Sequence, residues 1–269
     1  MGHPVPSGIT RLERFGLVSS TQDVVRGWLA DGQAEICVAV ADEQTAGRGR
    51  FERRWLAPPG RALLLSAGFR PAWLAPARAW RLTASAALAM LEAAVAMLGP
   101  GADRLALKWP NDIVAVRDGD LRKVGGLLAE GELDGVRLRS VAIGLGVNVD
   151  WPPSDFLMEL VPAMGSLSEA AAAPVDREAL LAGWLARMVS SYVALAADDF
   201  DTGRWAEAQV TTGAQVVVET GGLQLEGCAE GVDPDSGALL VREAATGVLR
   251  HVAAGEVLRC RVVGSASTL

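Results

Sequence analysis

Residues 47–55 read GRGRFERRW, four arginines in nine positions of a chain whose formal net charge is −7. Guanidinium groups bind carboxylates and phosphates through paired, directional hydrogen bonds. Side chains alternate along an extended segment, so Arg48 and Arg50 are expected on one side, converging on one anion. Gly47 and Gly49 open backbone conformations closed to other residues and allow close approach to a ligand. The segment reads as an anion-binding loop that closes over a substrate. By itself, a solvated basic loop or an RG-type nucleic-acid contact has the same composition.

Three further stretches carry chemistry. In KWPND (108–112), Pro110 removes a backbone donor and restricts Trp109, which ends a strand and presents Asn111 and Asp112 at a turn. A carboxylate there can face a magnesium–phosphate group, although Pro-Asn-Asp is also an ordinary turn composition. In RKVGGLLAE (122–130), Lys123 opens a strand whose Gly125 and Gly126 leave a bare surface for a flat ligand beside the ammonium. GLGVN (144–148) is a second glycine-bearing strand ending in Asn148, whose amide can read a base edge. It precedes no helix, so it is not a dinucleotide-binding fingerprint. Two phosphate-seeking cationic sites, one carboxylate suited to Mg²⁺ and two bare strands fit a nucleotide plus a flat, uncharged organic body. No nucleophile–base pair is evident, so the chemistry is positioning and electrostatic stabilisation.

The rest of the chain must position these groups. At 269 residues, 50% hydrophobic and 21% charged, there is ample material for a core. The acidic balance, with a pI near 5.0, argues against a free-standing nucleic-acid binder. Cys37, Cys228 and Cys260 form no CxxC pair, and His3 and His251 are isolated, which points to reduced thiols in a cytoplasmic protein without a His/Cys metal site. No apolar run reads as a membrane span and the N-terminus carries no signal-like apolar region, so no membrane association is expected.

Residues 19–32 open as a helix, with Ser20 or Thr21 as cap. Strands are expected at 34–44 and 61–71, and a long helix from about residue 77 to 98. Strands at 104–110, 112–116, 123–133 and 136–150 form an antiparallel meander. A loop with one short helix covers 151–174, and a helix spans about 176–196. After about residue 211, short strands separated by TGG, DPDSG and ATG turns suit a small antiparallel barrel of about 55 residues. The fold class is α+β, with residues 1–210 as a binding and catalytic domain and 211–269 as a small β-barrel domain.

The succession SSTQ (19–22), DEQTAGRGRFERRW (42–55), LKWPNDI (107–113), RKVGGLLAE (122–130) and IGLGVNV (143–149), followed by a small β-domain, resembles the biotin protein ligases, the biotin–[acetyl-CoA-carboxylase] ligases, over about residues 10–262. The resemblance implies a class II aminoacyl-tRNA-synthetase-like catalytic domain of the biotin/lipoate ligase kind, with a mixed, largely antiparallel sheet and an SH3-like C-terminal barrel. It implies activation of biotin by MgATP to biotinyl-5′-AMP. Transfer to a lysine of the biotin carboxyl carrier domain of a carboxylase follows. On the same grounds Arg48, Arg50 and Lys123 are catalytic. Ser20, Thr21, Gln44, Arg48, Gly49, Arg50, Lys123, Gly125 and Gly126 bind biotin. Arg53, Trp55, Asn111, Asp112 and Asn148 bind ATP, with Asp112 serving Mg²⁺. A homodimer paired through the catalytic sheet is also implied.

This chain departs from the family pattern twice. Gln22 stands where S-T-N is usual, so no role is carried over to it. Glu52 replaces the second-half glycine of GRGRxGRxW. The pattern begins within about twenty residues of Met1, leaving no room for the DNA-binding domain of bifunctional members, so a monofunctional ligase is expected. The competing readings are a lipoate or octanoate ligase or transferase, a nucleic-acid-binding protein using the RG-rich loop, and an inactive adenylate sensor. The first of these usually carries a histidine where this chain has GRGRFERRW.

Overall fold

The computed structural model describes residues 6–156 and 163–261. Strand β1 (Arg11–Val18) leads directly into helix α1 (Thr21–Ala30), followed by β2 (Cys37–Gln44), β3 (Ala62–Phe69) and helix α2 (Trp80–Val95). The meander comprises β4 (Arg104–Lys108), β5 (Asp112–Arg117), β6 (Asp120–Asp134) and β7 (Arg137–Asn148). Helices α3 (Leu167–Ala171), α4 (Arg177–Ala196) and α5 (Thr202–Ala208) precede β8 (Gln215–Thr220), β9 (Leu223–Val232), β10 (Leu239–Glu243), β11 (Leu249–Val252) and β12 (Glu256–Arg261). Strand β1 and helix α5 lie outside the sequence-based expectations. Helix α2 is shorter than expected because a single 3₁₀ turn, Pro76–Arg78, takes up its predicted start.

The first seven strands form one sheet in the order β1-β2-β3-β7-β6-β5-β4. Only β1–β2 is parallel, so the sheet is mixed and largely antiparallel, as expected. Alternation along β7 decides what each face carries. Ile143, Leu145 and Val147 join the core beneath α2 and α4, whereas Gly144 and Gly146 point to the opposite face. On that opposite face α1 packs Val25 and Leu29 against Cys37, Ala39 and Ala142.

Helix α4 is long and apolar enough to cross a membrane by composition, with a mean hydropathy of 1.4, which the sequence reading did not allow for. Its apolar stripe of Leu180, Leu181, Trp184, Leu185 and Met188 is buried in the core, and Trp184 donates to the Ala86 carbonyl at 3.1 Å. Asp176 caps it by accepting from the backbone of Glu178 and Ala179.

The expected closed barrel is instead an open five-stranded antiparallel sheet, ordered β11-β10-β9-β8-β12. Among the described residues, β11 and β12 do not pair. Its apolar face, with Val216, Val218, Leu239 and Val241, is sealed by Trp109 from the end of β4. The Trp109 indole donates to the Gly237 carbonyl at 3.1 Å and its backbone N–H to Thr211 Oγ1 at 3.0 Å. A side chain of the first sheet thus supplies what a second wall of the barrel would.

Candidate active site

A cavity of about 730 Å³ lies on the face of the large sheet opposite α2 and α4. That size is within the range that encloses small ligands. One end is rich in uncharged hydrogen-bonding groups. Strand β1 delivers the chain into the N-terminus of α1, placing Ser20 and Thr21 at the cavity wall. Ser20 occupies the cap position, but its hydroxyl makes no cap bond, contrary to the expected capping role. Gln44, ending β2, accepts from the Thr21 backbone N–H at 2.8 Å.

The other end is charged. Lys123 Nζ lies 2.7 Å from Asp112 Oδ1 and 5.6 Å from the centroid of the Trp55 ring. A β-bulge creates this arrangement. Ile113 pairs with Gly125 and Val114 with Lys123, leaving Val124 as the extra residue. Without the bulge, Lys123 and Gly126 would face opposite sides of the sheet. With it, Lys123, Asp112 and Gly126 all line the cavity. Gly125 is turned to the core side, where a Cβ would lie 3.2 Å from Val147 and 3.5 Å from Ile113. The glycines on the cavity face are therefore Gly126, Gly144 and Gly146, not the pair Gly125–Gly126, and they make room for Lys123, Gln22 and Trp55 respectively.

Residues 47–55 do not form the extended segment expected of them. They fold as a tight hairpin: Trp55 donates to Gly47 O at 2.9 Å, Gly49 to Arg53 O at 2.7 Å and Arg53 to Arg50 O at 3.2 Å. Phe51 and Glu52 occupy the turn with φ of 53° and 59°. The hairpin separates the two arginines, so they do not converge on one point. Arg48 pairs with Asp23 at 2.8 Å and Glu130 at 3.3 Å, and the hydrogen bond it donates to Asp23 raises its pKa. Arg50 contacts the Asn111 side-chain oxygen at 3.4 Å and makes no ion pair among the described residues. Burial pushes its pKa down, partly opposed by the charge of Asp112. A partly desolvated guanidinium without a carboxylate is an anion-binding group.

The hairpin also reaches both sheets. Trp55 packs directly against Gly146, where a Cβ would stand 2.5 Å from the ring. Its indole N–H has no acceptor among the described residues. Arg53 grips Glu256 of β12 through two hydrogen bonds of 2.6 Å. Arg53 thereby holds the Glu256 carboxyl below its ordinary range. Asn111 donates to Leu127 O at 2.6 Å, and Lys108 donates to Val257 O at 2.8 Å.

Asn148 is not brought to the cavity. It is fully buried, and its amide donates to Gly165 O at 2.9 Å. The segment Ala163–Gly165, bonded to the Lys123 backbone on both sides, covers it. Sequence reasoning missed Gln22, Ser66 and Glu256, all in the cavity wall, while Gly144 and Gly146 lie there as members of the expected glycine-bearing strand. Ser66 and Glu256 carry no local signal.

The model of the biotin/lipoate A/B protein ligase family matches residues 15–148. The biotin–[acetyl-CoA-carboxylase] ligase of Paracoccus denitrificans is 35% identical over 226 residues, covering 80% of this chain and 87% of that protein. This chain belongs to the biotin/lipoate ligase family. The bifunctional ligase/repressor of Bacillus subtilis is 36% identical over 165 residues, 61% of this chain but 48% of that protein. The chain thus spans about half the length of that relative. A biotin protein ligase from Aquifex aeolicus, solved in complex with biotin and ATP, superposes with a TM-score of 0.75 at 24% identity. It covers 91% of this chain and 97% of its own, and establishes the shared fold. In this family member the arginine segment is a folded hairpin that touches both sheets.

Proposed function

We propose that this chain activates biotin with ATP and transfers it to a lysine of a biotin carboxyl carrier domain. The observation that carries the reading is the two-ended cavity. One cavity is lined both by the neutral hydrogen-bonding groups Ser20, Thr21 and Gln44 and by two cations, Arg50 and Lys123. A flat, uncharged ring suits the first end and a phosphate the second. The names of the relatives in Paracoccus denitrificans and Aquifex aeolicus favour biotin over lipoate as the organic acid.

In the first step a carboxylate oxygen of biotin attacks the α-phosphorus of ATP, and the bond to the β-phosphate oxygen breaks to release pyrophosphate. Charge builds on the α-phosphate oxygens, where Lys123 and Arg50 stabilise it. Lys123 exchanges its partner Asp112 for the phosphate. Arg48 and Gly49 shape the biotin side of the hairpin, while Arg53, Trp55 and Asn111 border the nucleotide. The Asp112 carboxylate, a hard oxygen donor beside the Asn111 side chain in the cavity wall, suits Mg²⁺, a cation held largely through phosphate oxygens. Asp112 would hold Mg²⁺ there together with the phosphate oxygens, and the ion would supply positive charge to the triphosphate.

In the second step the neutral amine of the carrier lysine attacks the acyl carbon, AMP leaves, and the amine proton passes to solvent. Closure of the hairpin protects the adenylate from water in between. We assign residues 1–210 to the catalytic unit and 211–269 to a companion that braces the hairpin through Glu256, an SH3-like element completed by Trp109. The free cysteines suit a cytoplasmic location. Pairing of two chains through the catalytic sheet belongs to the same reading.

The test is biotin-dependent ATP–pyrophosphate exchange, with lipoate and octanoate as alternative acids. Biotin alone should support exchange, and Lys123→Ala should lower it by about 10²–10³-fold. Exchange with lipoate or octanoate instead refutes the choice of acid, and no exchange with any acid refutes adenylation.

A further inference from the structure

Gln22 matches no expectation drawn from the sequence, yet its side chain is 4% exposed and forms part of the cavity wall. Its Nε2 donates to the backbone oxygens of Ala142 at 3.1 Å and Leu128 at 3.3 Å. Carbonyl oxygens only accept, so both amide hydrogens are occupied and Oε1 faces the other way. There it accepts from Ser66 Oγ at 3.1 Å. Gly144 makes room for it, since a Cβ at that position would lie 2.5 Å from Gln22 Oε1.

Counting protons carries the constraint further. Ser66 has one hydroxyl proton, and Gln22 takes it. Ser66 Oγ and Thr21 Oγ1 are 2.8 Å apart, so Thr21 must be the donor in that contact. Thr21 then has no proton for Gln44 Oε1, 3.1 Å away, which is already served by the Thr21 backbone N–H. Two consequences reach the cavity. Thr21 Oγ1 offers only lone pairs to a ligand. Gln44 turns its oxygen to α1 and keeps Nε2 as the donor.

We propose that Gln22 is a positioning residue. Acting through Ser66, it holds the Thr21 hydroxyl as an acceptor beside the Gln44 amide donor. The pair selects a ring with adjacent N–H and C=O groups, such as a cyclic urea. This deepens the biotin reading and rests on it. Gln22 touches no reacting atom; it sets which way a hydrogen bond points at the far end of the substrate. With Gln22 removed, Ser66 can donate to Thr21, and Thr21 can turn its proton towards Gln44 or the cavity.

The experiment is pyrophosphate exchange by the full chain as wild type, Gln22→Met, Ser66→Ala and the double variant. Each single variant should raise KM for biotin about tenfold while kcat and KM for ATP stay within about twofold. The double variant should be no worse than either single one, because both break the same chain of protons. The ligand side is read with the two cyclic carbamate analogues of biotin, each with oxygen replacing one ureido N–H. Wild type should reject one of them by about a hundredfold, and Gln22→Met should relax that rejection about tenfold. Should Gln22→Met fail to fold, Ser66→Ala breaks the same link and carries the same expectations. Additive losses, equal falls in kcat, or unchanged discrimination would overturn the proposal. Wild-type exchange with biotin and variants indistinguishable from it would overturn the proposal alone. Absence of wild-type exchange would overturn it together with the functional reading.

Discussion

Glu52→Gly should make the arginine hairpin harder to open. Glu52 sits at φ 59° in the turn, in the left-handed region, and its side chain is exposed without a hydrogen bond or ion pair among the described residues. Nothing is lost by removing that side chain, and glycine adopts the conformation without steric cost. Left-handed backbone costs an ordinary residue ~1.5 kcal/mol, and glycine returns roughly 0.7 kcal/mol of this through the greater freedom of the open chain. The difference of about 0.8 kcal/mol predicts a roughly fourfold smaller population of the open hairpin. The four arginines of the segment make trypsin a natural probe, because cleavage after Arg48, Arg50, Arg53 or Arg54 requires opening. When reclosing outpaces cleavage, the cleavage rate follows the open population. Limited proteolysis of the ligand-free chain should therefore be about fourfold slower in Glu52→Gly at the hairpin sites. Glu52→Ala, which removes the side chain but keeps the backbone restriction, should show no such protection. Equal or faster cleavage of Glu52→Gly, or equal protection by Glu52→Ala, would refute the reasoning.

Gly146→Ala places a methyl group 2.5 Å from the Trp55 ring and should cost about 1–3 kcal/mol by overpacking. A changed tryptophan emission spectrum and loss of exchange would be the signs, and unchanged emission would count against the contact. Trp109→Ala empties the centre of the smaller sheet and should destabilise the chain by about 3–5 kcal/mol in chemical denaturation. A loss below about 1 kcal/mol would mean that the small sheet does not depend on it. Glu256→Gln should remove most of the pH dependence of hairpin docking on the acid side. The folded pKa of Glu256 lies below its unfolded value, so its contribution is present above the ordinary carboxylate range and is lost as pH falls through the folded pKa. Trypsin-independent measurement by hydrogen exchange of residues 47–55 should show acid loosening in wild type and little in the variant. Arg53 is exposed, so the effect is a fraction of a kcal/mol, about that of a surface ion pair.

The elements legible in the sequence share a strong local signal. Helix α4 has a cap at Asp176 and an apolar stripe, and the meander β4–β7 has alternation and turn residues. Strand β1 was missed because RLERFGLV, at the sheet edge, shows no clean alternation. Helix α5 is seven residues long, too short for periodicity to emerge. The closed barrel was expected because alternating strands look alike in a barrel and in an open sheet sealed by another element. Trp109 lies some hundred residues before those strands, and no local pattern connects them.

Most of the site residues were likewise legible as chemistry: cationic Arg48, Arg50 and Lys123, the Asn111–Asp112 turn, and the polar Ser20, Thr21 and Gln44. Their identities and order restrict the family because such a combination rarely recurs by chance. Facing directions were another matter. One bulged residue, Val124, reverses the alternation of β6 and sends Lys123 rather than Gly125 into the cavity. Two residues of positive φ fold the arginine segment back on itself and divide its charges. Asn148, on the cavity side of β7 by alternation, is covered by the Ala163–Gly165 segment and spends its amide there. Ser66 acquires a role only because β3 passes beneath α1. Residue type and local periodicity are properties of short stretches, so the chain alone reveals them. Side-chain direction, desolvation and the sharing of protons depend on which distant strands lie alongside, and these appear only once the chain is folded.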